Sequence, residues 1–166
     1  NTLAEACRTA KTEPSQLIHR IASMNDEIKS LSSENEKLKA KLANEAVGDV
    51  LANVQEIGSF RFLPVSVADV DMNGLRTLGD NMKDKIGSGI VILASTQGDK
   101  VNIIAMATDD AVAKGAHAGN LIKAVAPIVG GGGGGRPNMA QAGGKNPAGI
   151  DEMLAKAAEV AAQQLQ

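Results

Sequence analysis

Six consecutive glycines, Gly130 to Gly135, run directly into Arg136-Pro137 and constrain this 166-residue chain more than any other feature. Glycine loses more backbone freedom on folding than any other residue, so ordering such a run is costly. A chain that keeps it has a use for backbone N–H groups that are exposed and close to something. No acidic residue occurs between Asp110 and Asp151, whereas Lys114, His117, Lys123, Arg136 and Lys145 all lie there. Glycine backbone and local cations together point to an anion site, most simply a phosphate site. The competing reading is a flexible linker, the usual use of glycine tracts. Against it stand Arg136-Pro137, the ordered-looking segment 139–142, and the absence of the Ser and Glu typical of linkers.

The second constraint is a 4-3 repeat: Leu17, Ile21, Met24, Ile28, Leu31, Asn35, Leu38 and Leu42. With Leu17 at d, the a positions are Ile21, Ile28, Asn35 and Leu42, and the remaining d positions are Met24, Leu31 and Leu38. This is a coiled-coil seam of about 26 residues, roughly 39 Å long at 1.5 Å per residue. Asn35 at an a position lowers stability but favours one register, because it needs a polar partner across the seam. The seam fits a dimer or hairpin partner of fixed alignment. It fits equally a long helix packed on its own globular domain or on an upstream segment.

Aromatic residues are nearly absent, Phe60 and Phe62 alone. The core must therefore be aliphatic, and the composition argues against a base-stacking platform. The net charge of −2 hides an uneven distribution. Residues 1–47 balance seven cations against seven anions, while residues 111–150 carry four cations and no anion. Local patches set the field that a polyanion meets. The one cysteine, Cys7, excludes an internal disulfide and fits a reducing, cytoplasmic setting. No apolar stretch reaches the length of a membrane span, and no signal peptide is visible. The chain begins at Asn1 in helix-like sequence and reads as an excised C-terminal piece of something larger.

Residues 2–11 read as a short helix, with Thr12 capping the next and Glu13-Pro14 in its first turn. Beyond Ala43 the heptads stop, and Val47, Val50, Leu51 and Val54 carry the helix on to a turn at Gly58. Residues 60–67 read as a strand and 72–87 as a helix through Met72, Leu75, Leu78, Met82 and Ile86. Segments 89–95 and 101–107 are apolar strands joined by Gln97-Gly98-Asp99-Lys100 as a tight hairpin. Residues 111–128 read as one helix, 139–142 as a short strand, and Asp151 caps a last helix. The expected fold is α/β. A helical part (1–55) holds the short helix and the long coiled-coil-like helix. A small globular domain (56–166) follows, ordered β-α-β-β-α-(Gly-rich loop)-β-α.

No catalytic constellation emerges. The glycine run lacks the following Gly-Lys-Ser/Thr of a Walker loop, and it lacks the strand before and helix after of a dinucleotide fingerprint. His19 and His117 are too few for a metal site with Cys7, and no acidic cluster has ligand spacing. Asp109-Asp110 reads as the cap of the helix at 111. Cys7 has no activating base. The candidate phosphate site is Gly131, Gly132, Gly133, Gly134 and Gly135 through their N–H groups, with Arg136 bidentate and Lys145 as a point charge. Lys114 and Lys123 supply further cations, roughly 13 Å apart and on opposite sides of the one expected helix.

The segment 131–145, with its core Gly-Arg-Pro-Asn-Met-Ala-Gln-Ala-Gly-Gly, closely resembles the C-terminal, or C-Ala, domain of alanyl-tRNA synthetases. The globular part is similar to the DHH-associated domain of nucleic-acid phosphoesterases. The organisation agrees: a Pro-capped coiled-coil helix (14–45) leads into an α/β domain (about 59–166), and residues 74–78 look like the family's first globular helix. The resemblance implies a module that binds the elbow of alanine tRNA, helps couple aminoacylation with editing, and in some members dimerises through its helix. It places both reactive sites, with their ATP, Mg and Zn, in upstream domains, and implies no cofactor here. In the phosphoesterases a related Gly-rich motif carries a histidine and holds nucleotide. Here Arg136-Pro137 stands in that region and no histidine follows, which leaves binding rather than chemistry. Two other readings stay open: a coiled-coil oligomerisation module, and the substrate-binding domain of a DHH-type phosphoesterase.

Overall fold

The computed structural model describes residues 1–47 and 50–166. Contacts divide the chain into two compact units, 1–37 and 38–166, so the division falls inside the long helix. The expected partition at 55/56 followed the end of the helical sequence instead.

In the first unit, helix α1 (Thr2–Ala10) starts on Asn1, whose side chain accepts from the Leu3 N–H at 3.0 Å. It ends at Lys11 in the left-handed conformation, φ 53°. The chain then enters a 3-10 turn (Pro14–Gln16) with Pro14 in its first turn. Glu13, not Thr12, precedes that turn, without a side-chain cap. Helix α2 (Leu17–Val47) follows, and the Arg20 Nε donates to the Ala10 carbonyl at 3.3 Å. The seam lies along α2. Leu17 and Met24 are half-buried, and Ile21, Ile28, Leu31, Asn35, Leu38 and Leu42 are exposed.

The expected helical extension through Val47, Val50 and Leu51 lies partly outside the described residues. Beyond it, Val50–Asn53 is a 3-10 turn and β1 (Gln55–Ile57) a short strand, so no helix runs to Gly58.

The second unit is built on one mixed six-stranded sheet of order β1-β2-β3-β4-β6-β5. Its strands are β2 (Phe60–Ala68), β3 (Gly89–Gln97), β4 (Lys100–Ala107), β5 (Gly132–Gly135) and β6 (Met139–Gly144). Only β2 and β3 pair in parallel. They are joined by helix α3 (Met72–Ile86), capped by Asp71, which accepts from the Gly74 N–H at 2.8 Å. A crossover of this kind is what a parallel pair requires. The β3–β4 turn is Gly98-Asp99, with Gly98 at φ 59°, the pattern of a two-residue type II′ hairpin.

Strand periodicity sorts the core into two layers. Phe62, Ile90, Ile92, Ala94, Val101, Ile103 and Ala105 face one side of the sheet. Leu63, Val65, Val91, Leu93, Ile104 and Met106 face the other, where Leu75, Leu78 and Met82 of α3 cover them. β3 and β4 are buried on both faces, which is why they read as continuous apolar runs. The first layer is covered by helices α5 (Ala118–Val125) and α6 (Ile150–Leu165).

The single helix expected over 111–128 is three elements: α4 (Asp109–Lys114), α5, and a 3-10 turn (Ala126–Val129). Gly115, at φ 127°, breaks the run, and a side chain there would meet the Gln164 carbonyl at 2.6 Å. Lys114 and Lys123 therefore lie on different helices, and their expected separation along one helix does not apply. The caps also differ from expectation. Thr108 precedes α4, with Asp109 and Asp110 inside its first turn. Gly149 precedes α6, with Asp151 inside.

Three donors converge on the Asp110 carboxylate. The Ser88 and Thr108 hydroxyls and the Ala111 N–H donate to its carboxylate and hold its pKa below the usual 3.8. A depressed carboxyl stabilises the fold above the unfolded-state value and loses that contribution as pH falls through the folded-state value. Asp110→Asn is expected to flatten the stability change below about pH 4, read by denaturant unfolding across an acid series. An unchanged slope would show that these contacts carry no linkage.

Candidate nucleic-acid interface

The glycine run is mostly a strand. Gly130 ends the 3-10 turn at φ 69°, and its N–H donates to the Pro127 carbonyl at 3.0 Å. The Gly131 N–H donates to Ala126 at 3.1 Å, so neither amide faces outward. Gly132–Gly135 then form the outer edge of the sheet, paired antiparallel with β6.

Steric space explains why these residues are glycine. A Cβ on Gly131 or Gly133 would overlap the carbonyl oxygen of Gly143 or Gln141, and one on Gly135 would meet the Met139 carbonyl at 2.6 Å. A Cβ on Gly132 would meet nothing within 4 Å. On the helix side, a Cβ on Gly119 of α5 would overlap the Gly135 carbonyl. The strand thus lies pressed between β6 and α5.

The hairpin tip is tied down at four consecutive carbonyls. The Gly119 N–H donates to Arg136 at 3.1 Å and the Ala118 N–H to Pro137 at 2.8 Å. The Ala107 N–H donates to Asn138 at 3.0 Å, and the Arg136 N–H to Met139 at 2.9 Å. This last bond makes 136/139 a hydrogen-bonded pair. Alternation along an antiparallel ladder then turns the Gly132 and Gly134 N–H groups to β6, and those of Gly133 and Gly135 to the open edge. Two of the five expected glycine amides thus face outward.

The cations divide into two groups. A concavity of about 650 Å³ is lined by Gly134, Gly135, Arg136, Asn138 and Gln141, and by Asp80 and Lys83 from α3. Lys123 reaches the strand from α5, on the other face of the sheet from α3, its Cε 3.3 Å from where a Cβ on Gly134 would stand, and it lines neither concavity. A second concavity, of about 290 Å³, is lined by Gly130, Gly131, Gly143 and Lys145 with Lys100 and Asn102 of β4. Arg136 and Lys145 therefore stand at opposite ends of the hairpin and line different concavities, about 20 Å apart at 3.3 Å per residue over the six positions from Met139, which pairs with Arg136, to Lys145. Lys114 lines neither concavity.

Lys83 and Lys100 were not foreseen. Nothing local marks them, because the sheet brings them to the hairpin from distant elements. His117, one of the local cations singled out in the sequence, caps α5: its Nδ1 accepts from the Asn120 N–H at 3.0 Å. Among the described residues no group of three His, Cys, Asp or Glu side chains converges as a metal site, and no helix is long and apolar enough to cross a membrane.

Residues 25–163 match the DHHA1 domain. This chain belongs to that family. It is 61% identical over 163 residues to alanine–tRNA ligase 1 of Lachnoclostridium phytofermentans, covering 98% of this chain and 18% of that protein. It is 46% identical over 164 residues to the alanine–tRNA ligase of Alkaliphilus oremlandii, covering 99% of this chain and 19% of that protein. The chain thus spans under a fifth of the length of these curated relatives. Among solved structures it is similar to the C-Ala domain of Aquifex aeolicus alanyl-tRNA synthetase, with a TM-score of 0.61 and 29% identity over 66% of this chain and 97% of that one. The likeness to the C-terminal domain of alanyl-tRNA synthetases, read from the Gly-Arg-Pro segment, is shown. So is the α/β class with its long N-terminal helix.

The DHHA1 hairpin makes a sharp distinction between neighbouring glycines. Gly133→Ala is expected to lower stability by about 1–3 kcal/mol through overpacking, and Gly132→Ala to stay within about 0.5 kcal/mol of the parent. Thermal or denaturant unfolding of the pair reads the difference. Equal tolerance at both positions would mean the run is a loose loop.

Proposed function

We propose that this chain is the tRNA-binding C-terminal module of an alanine–tRNA ligase, and that it grips phosphates of the tRNA elbow along the β5–β6 hairpin. The observation that carries this reading is Arg136. Its backbone is held at the hairpin tip, its side chain is exposed, Lys83 shares its concavity, and Lys123 reaches Gly134 two residues away. A guanidinium takes a phosphate bidentately, and lysines add point charges. Lys145 and Lys100 give a second foothold at the other end of the strand. The ligase relatives support alanine tRNA as the partner. With only two aromatic residues in the chain, contacts read shape and phosphate rather than stacked bases. In this reading the aminoacylation and editing sites, with their ATP, Mg and Zn, sit in upstream domains. The module helps bring both sites to bear on one cytoplasmic tRNA.

About three engaged phosphates give a slope of log K against log salt near −2 to −3. Titration of the chain with alanine tRNA is expected to show that slope. Arg136→Ala combined with Lys145→Ala should remove close to two units of it. A slope near zero in the parent, or an unchanged slope in the double variant, would sink the electrostatic assignment.

A second property is supported by the exposed seam. Ile21, Ile28, Leu31, Leu38 and Leu42 stand exposed at heptad spacing, with Asn35 at one a position. A second copy of the same helix covers that row and gives Asn35 a polar partner, so the chain pairs through α2. Sedimentation of the parent is expected to show a dimer, Asn35→Leu a shift toward other oligomers, and Ile28→Lys with Leu31→Lys a monomer. A parent that sediments as a monomer at about 100 μM, well above a specific interface's range, contradicts this.

A further inference from the structure

The hairpin tip has a second layer of support that phosphate binding does not by itself call for. Helix α5 begins at His117, and each of its first three amides has a defined acceptor. The Ala118 and Gly119 N–H groups take the Pro137 and Arg136 carbonyls, and the Asn120 N–H takes the His117 Nδ1. His117 is in turn gripped from α6. Its N–H donates to the Gln164 Oε1 at 2.9 Å, and the Gln164 Nε2 donates to the His117 carbonyl at 3.2 Å. One side-chain amide thus meets both backbone groups of the residue that starts α5. His117 and Gln164 are both half-buried, 47 positions apart in sequence.

The order of these contacts gives them a direction. Gln164 fixes the backbone of His117. His117 fixes the first turn of α5 through its side-chain cap. That turn fixes the Arg136 and Pro137 carbonyls, and Gly119 lets α5 come close enough to do so. Without the cap, the Asn120 amide loses its acceptor, and the first turn that presents Ala118 and Gly119 frays. Arg136 itself keeps every atom but loses its fixed origin.

We propose that His117 and Gln164 are positioning residues for Arg136, coupling the end of α6 to the RNA-facing hairpin. The inference rests on Arg136 being the RNA anchor. Preorganisation raises affinity by removing the ordering cost at binding, so the effect belongs to RNA affinity more than to global stability.

The test is a double-mutant cycle on alanine tRNA binding at fixed salt, with thermal unfolding of every variant alongside. Gln164→Ala and His117→Ala are each expected to weaken binding about three- to tenfold. In an Arg136→Ala background neither should weaken it further. His117→Asn, whose side chain also caps a helix, should restore the parent affinity. Gln164→Met removes both hydrogen bonds without adding charge or much changing side-chain length. It is expected to give the same loss as Gln164→Ala and remains informative if Gln164→Ala fails to fold. Equal losses in the parent and Arg136→Ala backgrounds would make the pair merely structural and overturn the proposal. If Arg136→Ala weakens binding while Gln164→Ala and His117→Ala leave it unchanged, the proposal falls and the anchor stands. If Arg136→Ala has no effect, both fall.

Discussion

The site depends on one close approach. Strand β5 lies against the β6 backbone on one side and the first turn of α5 on the other, and neither approach leaves room for a Cβ at Gly133 or Gly119. This turns a run that is entropically expensive into an ordered edge. The cost of fixing glycine backbone is offset by ladder hydrogen bonds to β6 and by the α5 amides that hold the tip carbonyls. Once the edge is placed, the cations follow. Arg136 continues the strand, Lys123 crosses it from α5, and Lys83 reaches it from α3 on the other side of the sheet.

An open strand edge is ordinarily a liability, because its free amides invite pairing with another chain. Here the edge is only four residues long and is flanked by cations at both ends. Short length and positive charge are two of the devices that keep sheet edges from aggregating. The same two devices suit a phosphate track. The charge that discourages another strand attracts a polyanion, and outward amides at Gly133 and Gly135 favour an acceptor-rich ligand over another peptide side chain.

Much of the fold was legible because side-chain periodicity carries it. The strands at 60, 89, 101 and 139 and the helices at 72 and 150 all announce themselves through apolar spacing. Two strands did not. β5 has no side chains to alternate, and β1 is three residues long. The break at Gly115 was hidden because the apolar spacing carries across it, and the packing against the Gln164 carbonyl that requires a glycine there is remote in sequence. At the site, sequence could nominate Gly134, Gly135, Arg136 and Lys145, which lie in or near the glycine run. It could not divide them between two concavities, and it could not add Lys83 or Lys100, which sheet topology supplies. It placed Lys114 and Lys123 on opposite sides of one helix, whereas the break at Gly115 puts them on two helices.

The physical character of the site sets what kind of recognition it can perform. Arg136, Lys123, Lys145 and Lys100 are exposed, so each contact is screened by salt and is individually weak. The two aromatic side chains, Phe60 and Phe62, line neither concavity, so no base is held there by stacking. A surface of that kind discriminates by the spacing of phosphates, not by base identity. Spacing is informative only if the two footholds are themselves rigid, because a mobile cation accommodates any phosphate within its reach. The Arg136 backbone is held through its own N–H and C=O at the tip, and that of Lys145 by its N–H, which donates to the Val129 carbonyl at 2.8 Å. On the proposed reading, a folded RNA corner, with its phosphates at set distances, is the ligand such a pair distinguishes from a flexible single strand. A glycine edge pressed between a strand and a helix supplies the rigidity that weak, exposed charges need in order to be selective.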